Sequence, residues 1–475
     1  MSDKLAKYIT TTLPYVNDKP HIGNALEFVQ ADTLARYWRL IGHDVFFNTG
    51  TDEHGQKIAQ KADVLGEDRQ AYVDRFALKF NELKVALNLS YDAFIRTTDA
   101  KHKTAAAEIW RRCAEKGDIY KKKYTGLYCV GCELFYKESE LGANKCCLIH
   151  QKPVEEVEEE NYFFRLSNYQ ERLAELLRDP ARTLPNWQRE WALTFVEGGL
   201  DDLSISRQRS RMDWGIPVPG DDDHVMYVWF DALTNYISTL GWPDESGDFK
   251  KFWLNGDTMQ MAGKDQVRFQ SIIFQAMLMS ADMPTTDIVV YHGFINSGGQ
   301  KMSKSLGNTI DPSDLVKRYG TDATRYIFLR HVHPTEDSDL TWEKMDEYYT
   351  ANLVNGLGNL TARIMKMCEQ YLEPEDYPLL DPTTLDAPNI LNFQAAMDHI
   401  WGLIQHCDEV ITETEPFKLI KTEPEQAKAI LSNLRADLLH IGRLLLPCMP
   451  ETSVIIRAAV RANKKPDNLF ARLEV

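Results

Sequence analysis

Two short segments of the chain carry residue types suited to holding phosphate. His21-Ile22-Gly23-Asn24 follows a run rich in Thr and Ile and opens a stretch of helical periodicity. A helix N-terminus offers unpaired amides and the positive end of a dipole to an anion. Gly23 lets a flat base or a phosphate approach the backbone there, and His21 can donate a hydrogen bond to a phosphate oxygen in a transition state. Taken alone, this tetrapeptide would read as a turn with a capping asparagine. The second segment is Lys301-Met302-Ser303-Lys304-Ser305, after Ser297-Gly298-Gly299-Gln300. Its glycines predict a mobile loop from which Lys301 and Lys304 can reach a triphosphate. Neutralising charge that builds on an α-phosphate is the largest help a protein can give to such a transfer. A merely basic surface loop does not account for so specific a pentapeptide.

A third group suits metal. Of eight cysteines, Cys129, Cys132, Cys146 and Cys147 fall within 19 residues. In a chain whose first residues show no apolar leader, such clustering suggests metal rather than disulfides. Cys129-Val130-Gly131-Cys132 is followed after 14 residues by Cys147-Leu148-Ile149-His150. Two Cys-x2 pairs, the second closed by His, match a tetrahedral zinc held by Cys129, Cys132, Cys147 and His150. Cys146 is an alternative third ligand, and Cys147 is preferred because only it leaves the two-residue gap to His150. With all four positions filled by protein, the zinc would be structural.

Periodicity traces the elements that must position these groups. Residues 7–14 read as a strand and Asn17-Asp18-Lys19-Pro20 as a turn. Ile22, Leu26, Val29, Leu34, Trp38 and Ile41 recur at helical spacing, Gly42 ends that helix, and Val45-Phe46-Phe47 reads as the next strand. Residues 258–262, 266–283 and 287–295 repeat the strand, helix, strand pattern. The predicted fold class is therefore α/β, a split doubly wound, Rossmann-like parallel sheet. An insertion at roughly 118–222 holds the cysteines, and an all-α helix bundle follows from 346, where 391–412 and 425–446 carry helical apolar periodicity. Within the insertion, Glu155 to Glu160 reads as a solvated face, and Lys121-Lys122-Lys123 and Arg207, Arg209 and Arg211 as basic surface clusters. Asn355, Asn359 and Arg363 are spaced to share one helix face, which suits base edges and phosphate but also any polar face.

The chain's 475 residues suggest two to four domains. Its 54 Lys+Arg against 70 Asp+Glu give a net charge of −16, which argues against a general nucleic-acid coat protein. Local basic patches would still serve an enzyme that contacts phosphates. No apolar run of about 18 residues is free of charge, so no membrane span is expected, and the cytoplasm is the default compartment.

The two phosphate segments together resemble the paired signatures of class I aminoacyl-tRNA synthetases. Thr12-Leu13-Pro14-Tyr15-Val16-Asn17, Gly50-Thr51-Asp52-Glu53-His54-Gly55, Val228-Trp229-Phe230-Asp231-Ala232 and Gly263-Lys264-Asp265 are similar to the methionyl branch of that family. The likeness runs on to Asn468-Leu469-Phe470-Ala471-Arg472-Leu473-Glu474. It implies ATP-dependent activation of methionine to methionyl-adenylate and transfer to methionine tRNA, the initiator included. It divides the chain into a catalytic nucleotide-binding domain (1–117 and 223–300) and a connective insertion (118–222) with a zinc knuckle near 125–152. A signature-loop and stem-contact region (301–345) and a helical anticodon-binding domain (346–475) complete the division.

The same resemblance gives His21, Asn24, Lys301 and Lys304 the phosphate charge of the reaction, although the first signature often ends in His rather than Asn24. Gly23, Asp265, His292 and Lys304 would bind ATP. Leu13, Tyr15, Trp229, Ala232 and Tyr236 would enclose the methionine side chain, with Asp52 on its ammonium. Leu233, Gln266 and Gln270 stand in that pocket where the family commonly has Pro, an aliphatic residue and His. Two glutamines beside a thioether are unexpected unless they bond to each other, to Tyr15 or to the substrate backbone. Asn355, Asn359, Arg363 and Phe417 would read the anticodon, Phe417 replacing the usual Trp.

The implied cofactors are one structural zinc, whose family knuckle also has a two-residue gap before His, and magnesium with ATP. The implied partners are ATP, methionine and tRNA, with no membrane. The family's C-terminal oligonucleotide-binding extension is not found in the sequence, so a monomer is expected. Two alternatives stay open. A class I synthetase for valine, isoleucine or leucine would carry an editing insertion for which 118–222 has no room. A nucleotidyltransferase that uses no tRNA would leave the helical region unexplained.

Overall fold

The computed structural model describes residues 5–129, 134–136, 138–149, 151–302, 309–375 and 391–473. Six parallel strands form a sheet in the order Ala93–Arg96, Asp44–Thr51, Ala6–Thr11, Asp257–Gly263, Ile288–His292, Thr183–Leu184. The order reverses between Ala6–Thr11 and Asp257–Gly263. The crevice beyond the carboxyl ends of strands at such a reversal is where doubly wound sheets take ligands. Tyr8, Ile9, Phe47, Ile95, Met261 and Ala262 are buried because helices cover both faces. The sixth strand is contributed from within the stretch read as an insertion.

The helix Ile22–Leu40 starts at His21, whose backbone is extended, and stops at Gly42, whose φ of 94° only glycine adopts readily. Two elements depart from their predicted forms. The stretch 266–283 is a 3₁₀ turn at Lys264–Gln266, a π turn at Arg268–Ile273 and an α-helix at Phe274–Ser280. The strand predicted at 287–295 divides into Ile288–His292 and Ile295–Ser297, with Gly293 between them. A Cβ at Gly293 would stand 2.1 Å from the Glu336 carbonyl oxygen, so the chain must bend there on glycine.

A four-stranded antiparallel sheet lies between the two halves, in the order Leu134–Tyr136, Ile119–Cys129, Glu155–Phe164, Leu203–Ser204. The acidic run at 155–160 begins its third strand. Alternation exposes Glu155, Glu156 and Glu158 but buries Val157 and Glu159, and Glu159 pairs with Arg211 at 2.9 Å. The solvated-face reading is corrected for Glu159. Arg207 is likewise buried rather than surface, with its guanidinium 4.7 Å from the Tyr227 ring centroid.

Helices Asn359–Tyr371, Phe393–Thr414, Pro424–Leu444 and Pro450–Ala462 pack around Ile364, Ile400, Ile404, Leu431, Leu438 and Ile456. Arg325, fully buried, joins this bundle to the sheet. Its guanidinium pairs with Asp32 of the first helix at 2.7 Å and donates to the Pro447 and Cys448 carbonyls at 2.9 and 2.8 Å. Among the described residues no helix is long and apolar enough to cross a membrane.

Candidate active site

Past the first strand, the Asp52 amide donates to the Pro14 carbonyl at 2.9 Å and the Val16 amide to the Asp52 carbonyl at 3.0 Å. These bonds lock two neighbouring strand ends and place Leu13, Tyr15 and Asp52 on the wall of a cavity of about 540 Å³. His21, Gly23 and Asn24 line the same cavity, as do Trp229, Asp265, Gln266, Phe269 and His292. Met302 and Thr309, on either side of residues 303–308, also border it.

The cap of the first helix fixes which atoms its side chains offer. Nδ1 of His21 accepts from the Gly23 amide at 3.1 Å, so the neutral ring carries its proton on Nε2. Oδ1 of Asn24 accepts from the His21 amide at 3.1 Å, which leaves its NH₂ as the remaining polar group. The Asn24 NH₂ is a donor of the kind an anion needs. The turn before this helix is tied to the segment after the second signature by Lys19 and Asp311 at 2.6 Å. That signature follows a hairpin in which Asn296 pairs with Lys301, turned by Gly298 and Gly299 at φ 63° and 73°. The Lys301 side chain and the whole of Lys304 lie outside the described residues.

His292 ends its strand with Nε2 3.0 Å from Glu27 and Nδ1 2.8 Å from the Gly293 carbonyl. Burial drives this ring toward neutrality, but the Glu27 carboxylate outweighs it and holds the pKa above the usual histidine range. Glu27 also accepts from the Thr12 amide at 2.6 Å. Sequence reasoning missed Glu27; the available signal was an acidic residue between Leu26 and Phe28 on the buried stripe of a helix.

The two glutamines find partners other than those anticipated. Gln266 donates to Asp265 at 3.1 Å, and Gln270 donates to the Tyr236 hydroxyl at 2.6 Å. Ala232, Leu233, Tyr236 and Gln270 are buried and do not line the cavity; Trp229 does, stacked on Phe269 with centroids 3.7 Å apart.

A buried carboxylate braces this wall. Asp231 accepts from Nδ1 of His54 and from Nε2 of His102, each at 2.7 Å. Burial would raise the Asp231 pKa, yet the two imidazoles hold it below the usual carboxyl range. The cluster links the segment bearing Asp52 to the helix Val228–Ala232 bearing Trp229. His54 and Asp231 stand inside quoted motifs and His102 in none, and nothing in the sequence pairs the three.

Among the metal candidates, Cys129 ends its strand opposite Leu134, and the Cys147 amide donates to the Lys152 carbonyl at 2.9 Å. Cys129 and Cys147 are buried, whereas Cys146 is half-buried. Cys132 and His150 lie outside the described residues. Asn355 and Asn359 are exposed and Arg363 half-buried, opposite Leu353, Leu357, Leu360 and Ile364. A π turn at Tyr349–Gly358 runs into the α-helix there, and Arg363 pairs with Asp408. Phe417 is 44% exposed on the short helix Pro416–Leu419.

The family model for tRNA synthetases class I (M) matches residues 7–152 and 137–365. The chain belongs to the class I (M) tRNA synthetases. Relatives of this class I synthetase include the methionine–tRNA ligase of Thermotoga maritima, 41% identical over 97% of this chain and 76% of that one. The methionine–tRNA ligase of a Nostoc species is 40% identical over 94% of this chain and 88% of its own length. A solved Mycobacterium tuberculosis methionyl-tRNA synthetase in complex with methionyl-adenylate has a TM-score of 0.88 and 38% identity, covering 95% of this synthetase and 93% of that chain.

Proposed function

We propose that this class I synthetase is a methionine–tRNA ligase. A carboxylate oxygen of methionine attacks the α-phosphorus of ATP, pyrophosphate leaves, and methionyl-adenylate forms. The terminal ribose hydroxyl of the tRNA then attacks the methionyl carbonyl, and AMP leaves. The reading is carried by one cavity that joins the helix cap at His21, Gly23 and Asn24 to a wall of Leu13, Tyr15, Asp52 and Trp229. Asp52 takes the methionine ammonium. His21, Asn24, Lys301 and Lys304 together meet the phosphate charge. Gly23, Asp265 and His292 hold the adenosine, and magnesium enters with the phosphates of ATP. The buried Tyr236–Gln270 pair, with Ala232 and Leu233, shapes the methionine pocket without lining the cavity. Methionine-dependent exchange of labelled pyrophosphate into ATP tests the assignment, and pure chain that exchanges none overturns it.

Residues 1–117 and 223–300 make the catalytic domain, 118–222 the connective insertion, 301–345 the stem-contact region and 346–475 the anticodon-binding domain. Burial of Cys129, at the end of its strand, and of Cys147, whose amide donates to the Lys152 carbonyl, fits them to hold a structural zinc with Cys132 and His150. The metal would tie two segments of the insertion together. Chain purified without chelator is expected to hold one zinc by elemental analysis and to lose it in Cys147→Ser but not in Cys146→Ser. Loss in the Cys146 variant alone would reverse the choice of ligand.

The exposure of Phe417 on the helical domain supports a stacking contact to an anticodon base, with Asn355, Asn359 and Arg363 as further contacts. Phe417→Ala is expected to weaken charging of tRNA by about 1–3 kcal/mol while leaving pyrophosphate exchange unchanged. An equal fall in both reactions would assign Phe417 to the fold instead.

A further inference from the structure

The stretch 118–222 gives the catalytic cavity two of its lining side chains, Tyr136 and Ile149. Every other lining residue among those described lies at 12–57 or 228–295, or is Met302 or Thr309. The two come from separate pieces of the insertion. Tyr136 ends the strand Leu134–Tyr136, opposite Leu127. Ile149 stands near the tip of a tight turn, closed where the Gln151 amide donates to the Cys147 carbonyl at 2.7 Å. A bridge between Cys146 and Pro153 holds the base of that turn. Ile149 borders the cavity yet is 67% exposed, so a branched apolar side chain stands at the rim in contact with water. The insertion also touches the catalytic wall close by: Glu140 lies 3.9 Å from Arg268, which stands in the chain between Gln266 and Phe269 of that wall.

We propose that Tyr136 and Ile149 form an apolar rim that keeps water from the anhydride of bound methionyl-adenylate. This rests on the ligase reading and names what protects its intermediate. The anhydride must last until the tRNA hydroxyl arrives, and water is a competing nucleophile of the same kind. When water adds to the methionyl carbonyl, the bond from that carbon to the phosphate oxygen breaks. Methionine and AMP leave, a proton is released, and the ATP is wasted. Excluding water from the site suppresses this side reaction.

The residue types suit a shield rather than a charge-holding role. Phosphate and ammonium are met by polar groups such as Asn24 and Asp52. An isoleucine side chain has no hydrogen-bonding group, and a tyrosine ring presents an apolar body, so neither face helps to position a water. The bound intermediate covers apolar surface of Ile149 that is otherwise wet, so protection and retention come from one contact.

The test follows the chain's own complex with methionyl-adenylate, made from ATP and methionine with pyrophosphatase and freed of substrates by gel filtration. Release of AMP is timed without tRNA. Ile149→Ala and Tyr136→Ala are expected to release AMP about tenfold faster than the unaltered chain, and Ile149→Leu and Tyr136→Phe at within about twofold of its rate. Ile149 is exposed enough that its alanine variant should keep the unfolding midpoint of the unaltered chain. Unchanged release in Ile149→Ala overturns the proposal, even where Tyr136→Ala fails to fold. Faster release that comes with a lowered midpoint in Ile149→Ala overturns it too. Chain that forms no methionyl-adenylate fails the ligase reading, and the rim falls with it; adenylate that forms and decays equally in all variants fails the rim alone.

Discussion

Asp231→Ala is expected to destabilise the chain more than any other single replacement in the site. The carboxylate is fully buried and accepts from two buried imidazoles, so removing it strands two donors without water. Each stranded donor costs about 1–3 kcal/mol, so the loss should reach about 2–6 kcal/mol. The pH dependence follows from the sign of the shift. Because the folded carboxyl titrates below its ordinary range, its stabilisation is full above that range and fades as pH falls through the lower folded value. Urea unfolding of both chains at neutral and acid pH checks this, with the gap between midpoints closing as pH falls. A loss under about 1 kcal/mol at neutral pH would mean that the cluster does not brace the wall bearing Trp229.

Lys304→Ala is expected to raise the barrier to adenylate formation by about 3 kcal/mol, roughly a hundredfold in rate, with the fold intact. In the proposed reaction the Lys304 charge serves the transition state rather than the core. The side chains of His21 and Asn24 are fixed by the helix cap, so they cannot shift to replace it. Pyrophosphate exchange in the variant, with its unfolding midpoint as control, checks this. Near-normal exchange would remove Lys304 from the chemistry.

The features legible in the sequence were those that repeat locally. Alternation and helical spacing delimited the strands about His21. The helix cap was legible too, since His21 and Asn24 lie within one turn. What escaped depended on partners far along the chain. His102 and Asp231 are 129 residues apart, His54 and Asp231 are 177, and Glu27 and His292 are 265. No periodicity carries such pairings. Glu159 escaped for another reason, because a run of like charges hides the two-residue alternation that turns one of them inward. The π turn at Arg268–Ile273 keeps apolar residues facing the core, so the sequence shows a plain helix where the backbone widens beside Phe269 and Gln270. The departures at Gln266 and Gln270 were visible at once, yet only the fold shows that Gln270 is engaged by Tyr236 and Gln266 by Asp265.

That engagement bears on the amino acid selected. A thioether offers almost nothing to hydrogen-bond, so selection must come from shape and from soft contacts to aromatic rings such as Tyr15 and Trp229. The Nε2 groups of both glutamines are engaged by protein groups, whereas the buried Oε1 of Gln270 has no partner among the described residues. One methylene in an apolar pocket changes binding by only about 1–3 kcal/mol, so homocysteine should be activated detectably. Competitive activation of methionine, homocysteine, leucine, norleucine and glutamine, read as kcat/KM for pyrophosphate exchange, tests the central claim most directly. Methionine is expected to exceed every other protein amino acid, with glutamine inactive. A higher kcat/KM for leucine or glutamine would contradict the assignment while leaving the class I chemistry in place.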